Sequence, residues 1–320
     1  VLRFTSRHGP VLATLAVLVA LYAVAALRFE NFATLRVAMD FLGDNAYLGV
    51  VAVGMTYVIL TGGIDLSVGS VVGCTTITVA VLIERSGWHP GAAFAFVVAA
   101  GASLGAAQGW IIHRFKLQPF LVTLAGLFLC RGIGLWISTE SVQVGHEFVS
   151  GLKQEARVQV AERVWLSTGA LVFLAAVVLA AVALRNTRFG RTVYAIGGDE
   201  HSAHLMGLPV GRTKVGVYAF SGFCSALGGV LLVLYASAGN AINGTGLELD
   251  AIAAVVIGGT LLTGGTGSVV GTFLGLMIFA VIQTAINFEG TLSSWWSKIV
   301  TGLLLLAFIL MQRALHWGKR

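Results

Sequence analysis

Ten apolar segments follow one another along this chain, and nearly every charge falls between them. They start near Val11, Leu42, Ser67, Gly91, Pro119, Leu166, Lys214, Leu249, Ser268 and Trp295. A helix needs roughly 20 mostly apolar residues to cross the hydrocarbon core of a bilayer. The composition agrees: 57% of the 320 residues are hydrophobic and 11% are charged, whereas a soluble globular chain carries about 25% charged residues. Glycine is abundant at 41 and proline scarce at 4, which suits close approach of helix backbones in lipid. The expected fold is an all-α integral membrane protein of about ten transmembrane helices, one transmembrane domain over 1–320. The eighth segment is short and interrupted by glycine, so it reads either as a span or as a broken, re-entrant element. Irregular backbone at membrane depth is tolerated only where protein or a water-filled cavity surrounds it.

Charge placement sets the orientation. Ten spans put both termini on one side. The N-terminus (Arg3, Arg7), the connection at Arg114 and Lys116, the long connection 185–212 with Lys214 after it, and the C-terminus (Arg313, Lys319, Arg320) together hold twelve Lys or Arg. The opposite connections hold six: Arg28, Arg36, Arg85, Lys153, Arg157 and Arg163. Acidic residues fall mostly on that second side, from Glu30 through Glu140, Glu147, Glu155 and Glu162 to Glu289. The positive-inside rule therefore predicts a multi-pass membrane protein with both termini cytoplasmic. Trp295 and Trp296 fit an aromatic belt at the outer interface. The first segment, basic then apolar, reads as a retained span rather than a cleaved signal. Net charge is +6, but no basic run with interleaved aromatics occurs, which argues against a nucleic-acid partner.

Catalytic motifs are missing. The nearest approach to a phosphate-binding loop is GTLLTGGT at 259–266, with Gly265 where the lysine must stand; without it the β- and γ-phosphates lack a counter-charge. Any nucleotide hydrolysis falls to another chain, and this one reads as a non-enzyme with no cofactor of its own. Cys74, Cys130 and Cys224 lie inside apolar segments with no CxxC pair, so neither a zinc site nor a disulfide framework is expected. His201 and His204 read as the polar face of a short helix in the 185–212 connection, not as a metal pair.

The chain also echoes itself. TGGIDLSVGSVVG at 61–73 and TGGTGSVVG at 263–271 share two blocks in the same order, the second lacking four residues between them. Internal duplication with interrupted helices is common in transporters; the sequence leaves the relative direction of the two copies open. Within the first copy, Asp65 has two readings. It is either a functional intramembrane carboxylate or a cap at the interface for the helix beginning near Ser67. Arg131, inside a span, either snorkels outward or pairs with an acid in the bundle.

Three stretches carry a family resemblance: NAYLGVVAVGMT at 45–56 continuing to GGIDLSVGS at 62–70, TRFGRTVYAIGG at 187–198 continuing to Ala203 and Gly207, and LDAIAAVVIGGT at 249–260. Together they resemble the ribose-type permeases of ABC sugar importers over nearly the whole chain. Within that family INFEGTLSSWWSKI at 286–299 is most similar to permease subunits of bacterial galactofuranose importers. Ribose, xylose, galactose or a sugar-like signal are the alternative cargoes, and a proton-coupled carrier with Asp65 as relay is the rival from another class. The resemblance implies a type II importer core of two permeases (a copy or a paralogue), two ATP-binding subunits carrying ATP and Mg, and a periplasmic sugar-binding protein. It implies that Gly197, Gly198, Asp199, Glu200, Ala203, Leu205, Met206 and Gly207 dock into the ATPase. The family usually has Asn where Asp199 stands and a small residue where His204 stands. The external connection 138–165 is long enough to meet the binding protein. A sugar path needs hydroxyl-matching side chains, and Asn45, Thr56, Thr61, Asp65, Gln283 and Asn287 are its candidates, with Gln108, Thr123 and Thr284 near them. Each of these can equally bond between helices.

Overall fold

The computed structural model describes residues 2–154, 157–162, 164–290 and 295–317, without the side chains of 2–10, 154, 297 and 311–317. Of the residues used above, Thr291–Ser294, Lys319 and Arg320, and the side chains of Arg3, Arg7, Glu155, Arg163, Ser297 and Arg313, lie outside the described residues.

The elements run α1 (Leu2–Arg28), α2 (Leu35–Asp44), α3 (Ala46–Leu60), α4 (Val68–Glu84), α5 (Pro90–Phe115) and α6 (Pro119–Ile137). A mixed connection follows, with β1 (Val142–Gln143), α7 (Glu147–Gln154), β2 (Val158–Ala161) and β3 (Val164–Leu166). Then come α8 (Thr168–Asn186), α9 (Arg188–Gly198), α10 (Glu200–Leu205), α11 (Val210–Ala236), β4 (Ala238–Gly239), α12 (Leu247–Ile257), α13 (Val269–Glu289) and α14 (Trp295–Trp317). Local chemistry sets many of these boundaries. Pro90 and Pro119 open α5 and α6, where the missing N–H costs nothing. Ser167, Thr187 and Ser268 cap α8, α9 and α13, each side chain accepting from an amide of the first turn.

The expected ten segments each become helix, but not ten full spans. Among the described residues, six helices are long and apolar enough to cross a membrane: α1 from Val11, α5, α6, α8, α11 and α13. The second segment is a pair, α2 and α3, bent by 58° at Asn45. The third, α4, and the described apolar part of α14 are shorter. The eighth, α12, has 11 residues. At 1.5 Å per residue it covers about 16 Å, half of a core roughly 30 Å thick. It is a half-helix, and the glycine-rich stretches on either side of it are the reason.

Position in the bundle follows from sequence. Every residue of α3 except Tyr47 is buried; a helix apolar on all sides belongs in the interior. Around it pack α8, α11, α12 and α13. The outer faces of α1, α6 and α8 expose Val24, Leu27, Phe128, Trp136 and Leu179, as lipid contact requires. The tightest pairing is α5 against α11. Gly101, Gly105 and Gly109, four apart, let α5 lie on the α11 backbone, and a Cβ at Gly105 would collide with the Tyr218 carbonyl. Small residues so placed replace the hydrophobic drive that lipid removes. The 138–165 connection is tied down as well: β1 pairs with β4, and the Gly145 amide donates to Glu84 Oε1 at 2.8 Å.

Candidate functional site: the glycine loops and the 185–212 connection

The two echoed segments meet. Helices α3 and α12 run in the same direction into their TGG loops, the Gly265 amide donates to the Leu60 carbonyl at 2.9 Å, and Gly264 backs onto Gly62. The copies are therefore parallel, which the sequence left open. The four residues missing from the second copy matter structurally. They lengthen the first loop so that it reaches into the bundle before α4 begins.

Asp65 sits at the bottom of that longer loop, 1% exposed. Its Oδ1 accepts from the Ser67 amide at 3.0 Å and the Ser67 hydroxyl at 2.6 Å, and its Oδ2 accepts from Ser221 Oγ at 2.7 Å. Ser221 lies eleven residues into α11, about 16 Å along the helix, so Asp65 is inside the bundle and not at its end. It satisfies the start of α4 as a cap does, at a depth where caps are rarely placed. The Thr123 hydroxyl donates to the neighbouring Ile64 carbonyl at 3.2 Å. Among the described residues no cation pairs with Asp65.

The other path candidates divide into two groups. Asn45 is buried at the α2–α3 break and donates to the Phe41 carbonyl at 3.1 Å. Thr56, fully buried, donates to Ala52 O at 2.7 Å and shares a 2.7 Å hydrogen bond with Thr272. Thr61 bonds back to Val58 O at 2.8 Å. These three lock helices and loops. Gln283 and Asn287 are exposed. Four apart on α13, they share a face. Arg131 follows neither sequence reading: its Nη1 donates to the carbonyls of Ala241 and Asn243 at 2.6 and 3.3 Å, pinning the loop that leads into α12. Lys298, also inside a predicted span, forms an ion pair with Asp250 at 2.5 Å, joining α14 to α12. A partner 48 residues away leaves no local signal.

The 185–212 connection folds as two capped helices. Asp199 ends α9 and caps α10, accepting the Ser202 amide at 2.6 Å. Hydrogen bonds from Ser202 hold its carboxyl below the ordinary aspartate range. Glu200 is bound by Lys214 at 2.7 Å, which fastens α10 to α11. Ala203 is fully buried against Ile196 and Val210. Leu205 and Met206 are 73% and 67% exposed, held outward just before the tight turn at Gly207 (φ +75°). Gly198 faces open space, whereas Gly197 abuts the Leu60 carbonyl and Gly265. Beside this segment runs a groove of about 760 Å³ whose lining includes Arg188, Phe189, Arg191, Leu208 and Arg212.

The described residues thus form a helical bundle in which two echoed glycine loops meet beside a short, partly exposed helix, α10. Residues 37–309 match the family of branched-chain amino acid transport system permease components. The chain belongs to this family of ABC transporter permeases, in its ribose-type sugar branch, and it is a transport subunit rather than an enzyme. It is 46% identical to the inner membrane ABC transporter permease protein YjfF of Escherichia coli over 98% of this chain and 95% of that one. It is 38% identical to the fructose import permease FruG of Bifidobacterium longum (95% and 91%) and 36% to the ribose import permease RbsC of E. coli (93% and 92%). No solved structure matches.

Proposed function

We propose that this chain is the permease of an ATP-driven importer that carries galactofuranose into the cytoplasm across the bacterial inner membrane. The observation that carries the importer reading is the docking segment: a short helix, capped, salt-bridged and buried on one side, presents Leu205 and Met206 outward. Exposed apolar side chains on a rigid support are what a partner protein needs in order to be moved by packing. The groove beside it, lined by three arginines, suits an acidic surface on that partner. ATP and Mg then belong to two partner ATPases on the side of α10, which makes that side cytoplasmic, with both termini there. A sugar-binding protein meets the opposite face near 138–165, and a second permease, a copy or a paralogue, completes the core.

Monosaccharide cargo is supported by relatives named for fructose and ribose import; galactofuranose rests on the likeness at 286–299. Gln283 and Asn287 are the path residues this reading favours, because they alone of the six candidates combine exposure with free hydrogen-bonding groups on a span. Asn45, Thr56, Thr61 and Asp65 hold the frame. The test is uptake of a labelled sugar panel, including galactofuranose, ribose, xylose and galactose, in cells with and without the gene. Loss of galactofuranose uptake alone, restored by the gene and dependent on ATP, is the expected result. Loss of a different sugar replaces the cargo, and uptake that survives ATPase loss but not an uncoupler replaces the importer.

A further inference from the structure

Three glycine pairs far apart in sequence meet on the side of the bundle that carries α9 and α10: Gly62–Gly63, Gly264–Gly265 and Gly197–Gly198. Leu60, the last residue of the central helix α3, accepts from the Gly265 amide at 2.9 Å. A Cβ at Gly265 would come within 2.9 Å of the Gly198 nitrogen, and one at Gly264 within 3.0 Å of the Gly197 Cα. A Cβ at Gly197 would collide with the Leu60 carbonyl itself. Tyr194, one turn earlier on α9, donates its hydroxyl to the Gly267 carbonyl at 2.9 Å, two residues before α13 begins. Main chain meets main chain at Gly197, Leu60 and Gly265, and the Tyr194 hydroxyl adds a side-chain hydrogen bond to Gly267.

Such a contact behaves differently from ordinary packing. Side chains absorb small displacements by changing rotamer; main chain in direct contact has no rotamer to change, and close-packed interiors pass strain on. A shift of α9 therefore reaches the end of α3 through the main chain of Gly197, while the Tyr194 hydroxyl ties the same helix to the loop before α13. Gly264 and Gly265 adopt φ of +86° and +72°, which other residues reach only with strain, so the second loop can be built this close only from glycine.

We infer that Leu60, Gly265 and Tyr194 are positioning residues of the transport cycle, the clasp through which movement of the docking segment is transmitted to both parallel copies at once. The inference rests on the reading of α9 and α10 as the ATPase-docking segment. It goes beyond that reading in naming where the motion enters the membrane domain and in requiring that α3 and α13 respond together.

The experiment uses the assembled importer in proteoliposomes, with its ATPase subunits and with its binding protein outside. Three variants are compared: Tyr194→Phe, which keeps the ring and removes one hydrogen bond; Gly265→Ala; and Leu205→Glu as the docking control. ATPase retained on the permease, basal hydrolysis, and hydrolysis stimulated by the loaded binding protein are each measured. Tyr194→Phe is expected to keep its ATPase complement and its basal hydrolysis, yet to lose at least threefold of the stimulation. Gly265→Ala should lose more, and Leu205→Glu should lose the ATPase itself. Stimulation within twofold of the parent in Tyr194→Phe overturns the clasp, even where Gly265→Ala fails to fold. Loss of the ATPase from Tyr194→Phe in the same proportion as from Leu205→Glu also overturns it, since the residue then acts in docking alone. Full assembly and stimulation in Leu205→Glu sinks the docking reading, and the transmission route falls with it.

Discussion

Replacing Asp65 separates a structural anchor from a proton relay. Its carboxylate accepts from the Ser67 amide, the Ser67 hydroxyl and the Ser221 hydroxyl, all inside the bundle. Asp65→Ala removes every acceptor. The Ser221 hydroxyl can turn to a carbonyl four residues back, as helical serines do, but the Ser67 amide has no such retreat. A buried donor left unsatisfied costs about 1–3 kcal/mol, and with a partial penalty for the hydroxyls the loss is about 3 kcal/mol, roughly a hundredfold in the folded ratio. Asp65→Asn keeps Oδ1 for Ser67 and offers its amide to Ser221 Oγ, which then accepts. Thermal melting of the purified protein in detergent, with uptake in proteoliposomes, reads both. Asp65→Asn should melt within about 1 kcal/mol of the parent and transport at a third of its rate or better, while Asp65→Ala should melt markedly lower. A variant Asp65→Asn that melts like the parent but does not transport would refute the reasoning, because an amide can anchor a loop and cannot relay a proton.

Four further outcomes follow from the packing. Gly105→Leu drives a side chain into the α11 backbone at Tyr218 and should cost about 1–3 kcal/mol or more. Gly132→Ala, on α6 where a Cβ meets open space, should be neutral or stabilising by up to about 1 kcal/mol; both are read by detergent melting. Arg131→Met strips the donor from the Ala241 and Asn243 carbonyls, and a loss of about 1–3 kcal/mol is expected, visible as faster proteolysis of the 237–246 loop. For Asp250 and Lys298, 55% exposed on the lysine side and 19% on the aspartate side, a double-mutant cycle with Asp250→Asn and Lys298→Met should show each single change costing more than the pair together. A partly exposed pair of this kind is worth about 0–1 kcal/mol, so a coupling above that range places the pair in a dry part of the bundle, and an unfavourable coupling would contradict the contact.

Much of this protein was legible without coordinates because lipid imposes its own pattern. Segments from Val11 to Trp295 were visible as apolar runs, since hydrocarbon admits few charges and every backbone bond must be made internally. The starts read near Gly91, Pro119, Leu166 and Ser268 agree with helices opened by Pro90 and Pro119 and capped by Ser167 and Ser268, because capping is local. A short helix within 185–212 was readable for the same reason, because its polar face is a short-range feature, and the structure adds its Asp199 cap.

What the tertiary structure decided is everything that depends on distance across the chain. The apolar runs left the eighth segment as either a span or a broken element; the structure makes it the half-helix α12, flanked on both sides by glycine-rich loops. Repetition of TGG announced two related loops, but their direction and their meeting with Gly197 depend on how α3, α9 and α12 pack. Asp65, Arg131 and Lys298 each looked costly in a membrane, and sequence could only offer generic escapes. Their actual partners, Ser221, the Ala241 carbonyl and Asp250, lie 156, 110 and 48 residues away. In lipid the drive to bury apolar surface is absent, so the apolar pattern fixes which residues enter the membrane and small residues with a few polar contacts fix how they meet there.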